Sequence, residues 1–88
     1  MYNKKYRLTN IITEIYNPIH ENVLNTICYL AYFNIGERGW FLYRTNDWFD
    51  SVNRIHTSVV KDVEYTDNQV VVTTNNSKYV FELIDEEV

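Results

Sequence analysis

The chain has 88 residues, enough for one domain with a modest hydrophobic core and too few for two. Twelve acidic against eight basic residues give a formal charge of −4, which argues against general binding to a phosphate backbone and is too mild for a mimic of DNA. Eight Tyr, four Phe and two Trp beside two Gly and one Pro describe a folded chain, and a single cysteine excludes an internal disulfide and fits a reducing compartment.

In chain order, residues 1–5 are a polar start expected to fray. Residues 6–16 are rich in β-branched side chains and alternate loosely, with Tyr6, Leu8, Ile12 and Tyr16 on one parity, and read as one strand or two short ones. Asn17-Pro18 marks a break, because the residue before proline avoids the helical region and proline cannot donate to a ladder. Residues 21–33 are ambiguous. Val23, Leu24, Ile27, Leu30 and Ala31 fit a helical stripe, whereas Thr26, Ile27, Tyr29, Tyr32 and Phe33 favour a strand. The glycine-containing loop at 34–39 and the extended run Trp40-Phe41-Leu42-Tyr43-Arg44 favour a hairpin of 28–33 with 40–44, with a helix within 21–33 as the alternative.

Residues 45–54 read as a polar connection carrying Trp48 and Phe49. These rings either fold back to plug one end of a barrel or form an exposed patch with the arginines beside them. The stretch 56–84 then reads as a three-stranded meander. Asn75-Asn76 and Asp67-Asn68 are two-residue turns, in which asparagine tolerates a positive φ. The first turn sets Val72 opposite Tyr79 and Val70 opposite Phe81; the second sets Tyr65 opposite Val70 and Val63 opposite Val72. Both turns place the same side chains on one face: Val63, Tyr65, Val70, Val72, Tyr79 and Phe81. Asp62 and Glu64 fall on the opposite, solvated face. Residues 85–87 read as an acidic mobile tail. The fold class is therefore all-β or β-dominated: one domain over 1–88, a small antiparallel barrel or curled sheet with a C-terminal meander. An open edge strand would invite pairing, so both a monomer and a homodimer are allowed.

Chemistry-bearing motifs are absent. His20 and His56 stand in no HxH or HExxH spacing, and no CxxC exists, so a metal site has no support. Gly36-Glu37-Arg38-Gly39 lacks the length and the Lys-Ser/Thr of a phosphate loop. Cys28 reads as a small buried apolar residue. No residue is assigned to catalysis, a cofactor or a metal. The start of the chain lacks the apolar core of a signal peptide, and no apolar run approaches the ~20 residues of a membrane-spanning helix, so the chain reads as cytoplasmic, with no membrane partner.

What remains is binding. Arg38, Trp40, Tyr43, Arg44, Asp47, Trp48 and Phe49 form the expected contact patch, because Trp, Tyr and Arg dominate binding hot spots and loops on a rigid scaffold carry function. The same rings beside Arg38, Arg44 and Arg54 allow a single-stranded nucleic-acid-binding barrel as the alternative.

Residues 54–60, Arg-Ile-His-Thr-Ser-Val-Val, with Val72-Thr73-Thr74-Asn75-Asn76-Ser77-Lys78-Tyr79-Val80-Phe81 resemble a block in small proteins of phages and mobile elements of low-GC Gram-positive bacteria. Gly36-Glu37-Arg38-Gly39-Trp40-Phe41 is similar in character to a turn preceding that block. The resemblance covers the second half of the chain and transfers no functional residue. It implies a context: a bacterial host, and a stoichiometric inhibitor of host machinery, of the kind that includes anti-CRISPR proteins. The partner would be a host protein or ribonucleoprotein complex, blocked sterically.

Overall fold

Six strands follow one another around a ring, each antiparallel to the next, and the last returns to the first. The computed structural model describes residues 4–15, 17–44 and 52–86. The elements are β1 (Lys4–Thr13), α1 (Pro18–Val23), β2 (Ile27–Tyr32), β3 (Arg38–Arg44), β4 (Val52–Tyr65), β5 (Gln69–Thr74) and β6 (Ser77–Glu86). The ring is strongly sheared. Partners of Tyr6 lead through Cys28 and Tyr43 to Asn53, whereas partners of Leu8 lead through Phe81 and Val70 to Tyr65, at the other end of β4. Steep tilt of this kind lets six strands close around a filled interior.

The interior holds Leu8, Cys28, Phe41, Val60, Val70, Val72 and Phe81, all essentially without solvent contact. Phe41 and Phe81 meet edge to face at 5.1 Å, and Tyr79 and Phe33 extend the aromatic cluster. Aromatic rings give a short chain a large buried area per residue.

The meander has the expected register. Val72 pairs with Tyr79, Val70 with Phe81 and Tyr65, and Val63 with Val72. Thr66 N–H donates to Gln69 O at 2.9 Å across Asp67-Asn68. Two details differ. Among the described residues the one non-glycine with positive φ is Asn25, so neither turn uses that conformation. At 75–76 the Thr74 hydroxyl holds the turn instead, accepting from Asn76 N–H and Ser77 N–H and donating to Ser77 O. Tyr65 also leaves the core: it is 67% exposed, because it sits where β4 runs past the rim.

Other boundaries move for physical reasons. Lys4 and Lys5 are strand residues paired with Glu86 and Asp85, so these parts of the expected frayed start and acidic tail instead extend the β1–β6 seam; residues 1–3 and 87 lie outside the described residues. β4 begins at Val52, which places His56 inside a strand rather than at its start. The helix exists, but earlier than 21–33 and only six residues long. Asn17 caps it, its side-chain oxygen accepting from Ile19 N–H at 3.1 Å, and Pro18 occupies the first helical position, where a missing N–H costs nothing. The hairpin of β2 with β3 matches the favoured alternative. Ring closure gives every strand a neighbour on both sides, although β1 and β2 share only two residue pairs among the described residues, Tyr6 with Cys28 and Arg7 with Ile27.

β4 serves both halves of the ring. Its first part pairs with β3 and its second with β5, with irregularities between Arg38 and Trp40 and between Val60 and Asp62. The junction is held by Thr57, which is buried. Its hydroxyl accepts from Gly39 N–H at 3.1 Å and donates to Ser58 O at 2.7 Å. Gly39 is needed there. A Cβ would lie 2.5 Å from Phe33 Cδ1 and 2.8 Å from the Tyr32 carbonyl oxygen.

Gly39→Ala is therefore expected to cost about 1–3 kcal/mol, as overpacking does. Urea unfolding followed by tryptophan fluorescence measures it; a midpoint equal to wild type would show that the strand pair can absorb the methyl.

Candidate functional site

Two surfaces meet at the β4 junction. The first is the outer face of β2, β3 and the first part of β4. On β3, Gly39 and Phe41 are buried and Tyr43 packs against the core, so Arg38, Trp40, Leu42 and Arg44 point outward. Across the ladder Leu42 faces Arg54 and Tyr29, and Trp40 faces His56. The Arg54 guanidinium lies over the Trp40 ring, 4.5 Å from its centroid. These three strand segments carry three Arg and one His and contain no Asp or Glu at all. Glu37 stands at the rim, its Oε1 accepting from the Tyr32 hydroxyl at 2.6 Å, which raises the Tyr32 pKa. The acids lie elsewhere. Asp62, Glu64 and Glu82 project from the outer face of the meander.

Of the expected contact residues, Arg38, Trp40 and Arg44 share this face. Tyr43 does not; it turns inward beside Cys28, its partner on β2. Asp47, Trp48 and Phe49 lie outside the described residues. Leu42, Arg54 and His56 join the face. The two-residue alternation along β3, carried across one antiparallel ladder, is the signal that would have found them.

The second surface is the mouth of the barrel, a cavity of about 450 Å³. Helix α1 forms one wall with Ile19 and His20, and β4 forms the other from Ile55 to Val59. The end of β1 and the β5–β6 turn close the sides, and Tyr79 lies at the base. The two histidines of the chain, 36 positions apart in sequence, both line it, together with Arg38. No carboxylate is among the described residues lining it. Arg38 is fixed by its Nε, which donates to Thr57 O at 3.0 Å. His20 stands edge-on to Tyr79 at 5.9 Å; burial lowers its pKa, and its buried Nδ1 has no hydrogen-bond partner among the described residues. No spacing rule could have joined these groups, because only ring closure and the α1 connection bring them to one cavity.

Among the described residues no group of three or more His, Cys, Asp or Glu could hold a metal ion. No helix among them is long and apolar enough to cross a membrane. No family model, no curated protein and no solved structure matches the chain.

Cys28 belongs to neither surface. It is fully buried, its Sγ near Thr26 Oγ1 at 3.6 Å, and burial pushes its pKa from an ordinary 9.0 to about 11. The native state holds this proton more tightly than the unfolded chain does. Its contribution to stability is therefore complete below about pH 9 and is lost as the pH rises toward 11. At pH 8 the native protein is expected to resist Ellman's reagent and to react once urea unfolds it. Immediate stoichiometric labelling of the native protein would contradict this placement.

Proposed function

We propose that the protein is a non-catalytic protein-binding module that docks through the outer face of β2, β3 and β4 onto an acidic surface of its partner. The segregation of charge carries this reading. In a chain with net charge −4, one face collects Arg38, Arg44, Arg54 and His56 and bears no carboxylate on its strands. At its centre, half-buried Leu42, Trp40 and Tyr29 supply the apolar area that hot spots require. Complementary charge would steer the approach and reject other partners. Such a module, docked on a working surface of a host complex, would inhibit by occupying it. The likeness of its second half to phage and mobile-element proteins fits that role, including an anti-CRISPR one in a bacterial cytoplasm.

Binding of single-stranded nucleic acid is the weaker reading. Base stacking needs an open ring face, and the Trp40 face is covered by the Arg54 guanidinium.

The test compares the wild-type protein with Arg54→Glu and Trp40→Ala as baits in lysate of the natural host, with and without nuclease. A discrete protein is expected to survive nuclease with the wild type. Each variant is expected to weaken that complex by about 2 kcal/mol, near thirtyfold, with its melting transition retained. Recovery of nucleic acid alone, or full retention of the partner by Arg54→Glu, would overturn the proposal.

A further inference from the structure

We propose that the barrel mouth is a binding site for a small phosphate monoester, held at its phosphate by Arg38 and His56 and at its organic body by the apolar wall. The site shares Arg38 and His56 with the edge of the docking face, but its cavity and chemistry are its own, and it does not depend on that reading. Three observations carry it.

The first is charge. The chain has more acids than bases, yet the described lining of this cavity has one arginine, two histidines and no carboxylate. Arg38 is the fixed charge of the cavity and no carboxylate opposes it, so the cavity favours an anion over a cation; the histidines count there as hydrogen-bonding rings.

The second is the state of its donors. Many polar groups at the mouth already have partners. Ser77 Oγ donates to Thr13 Oγ1 at 2.9 Å, and the Thr74 hydroxyl closes the adjoining turn. Five groups do not. The terminal nitrogens of Arg38, the His56 ring, the Ser58 hydroxyl and the side-chain amides of Asn75 and Asn76 make no hydrogen bond among the described residues. Arg38 itself is pre-set. Its Nε is engaged by the Thr57 carbonyl, which fixes the plane of the guanidinium and leaves its outer edge for a bidentate contact. That donor set exceeds what the two oxygens of a carboxylate can use and suits the three terminal oxygens of a phosphate monoester.

The third is size and lining. A volume of about 450 Å³ lies within the usual range for metabolite sites. Inorganic phosphate would fill little of it. Ile15, Ile19, Ile55 and Tyr79 offer an apolar wall beside the donors. A ring-sized body attached to the phosphate, such as a sugar or nucleoside, uses both.

The experiment is calorimetric titration of the full chain with adenosine monophosphate, glucose 6-phosphate, adenosine and inorganic phosphate, with amide chemical shifts to locate the site. At least one monoester is expected to bind saturably and to shift Arg38, His56, Ser58 and Asn76. Adenosine and inorganic phosphate are each expected to bind at least about tenfold more weakly than that ester. Arg38→Gln should lose the binding. Because this change also removes a strand contact, His56→Gln serves as the second variant, and a loss of about fivefold or more is expected with an unchanged amide spectrum elsewhere. Arg54→Glu, on the outer face, should alter ester affinity by less than about threefold. No saturable binding of either ester at concentrations up to about 10 mM would overturn the proposal. So would equal affinity for adenosine and adenosine monophosphate, or wild-type affinity in both Arg38→Gln and His56→Gln.

Discussion

The contact between Gly39 and Thr57 is the constraint on which the rest of this molecule depends. β4 must leave its pairing with β3 and join β5 within a few residues. At that crossing the Thr57 hydroxyl takes the Gly39 N–H, and the Thr57 carbonyl takes Arg38 Nε. Around it, Val60 N–H bonds to Glu37 O at 2.9 Å, and Asn75 N–H bonds to Val59 O at 3.0 Å. The buried hydroxyl therefore ties β4 to β3 at the crossing, and the Asn75–Val59 bond ties β4 to the β5–β6 turn. A side chain at position 39 would push Phe33 and the Tyr32 carbonyl away, and the crossing would open. β-Bulges beside functional surfaces re-aim the side chains that follow them. Here Trp40 and Arg54 lie on the outer face, and Arg38 and His56 belong to that face and also line the mouth, where the two surfaces meet.

With β6 paired to β1 the ring closes, although β1 and β2 are joined by only two residue pairs, Tyr6 with Cys28 and Arg7 with Ile27. The proposed recognition uses side chains on the outer face of the sheet. The charge distribution provides them. Three of the four arginines, Arg38, Arg44 and Arg54, gather on one sheet face, and Asp62, Glu64 and Glu82 project from the meander. Such a molecule can carry an acidic net charge and still approach an acidic partner in one orientation.

Much of the fold was legible in the sequence, because its strongest patterns are local. The run of valines at 70–72 and the alternation after Lys78 define one register through two short turns, and that register holds. What failed depended on context. Tyr65 belongs to the core parity, yet the strand outruns the barrel at that point, and no periodicity reports where a rim lies. Asn17-Pro18 reads equally as a break or as the cap and first residue of a helix; the six-residue α1 is too short for its apolar stripe to decide. The patch on β3 was half legible. Arg38, Trp40 and Arg44 share a face by simple alternation, and the same rule sends Tyr43 inward. The convergence of His20, His56 and Arg38 on one cavity was not legible at all, since it is a product of ring closure.

The most direct test is amide hydrogen exchange of Thr57→Val, a change that keeps the side-chain shape and removes the hydroxyl. The account predicts a cooperative fold in which Gly39 loses protection by roughly tenfold or more, in proportion to a lost hydrogen bond of about 1–1.5 kcal/mol. The signals of Arg38, Trp40 and His56 should shift with it, while Val71 and Val80 in the β5–β6 pair keep their protection. Wild-type protection at Gly39, with unmoved signals on both surfaces, would contradict the claim that this contact sets them.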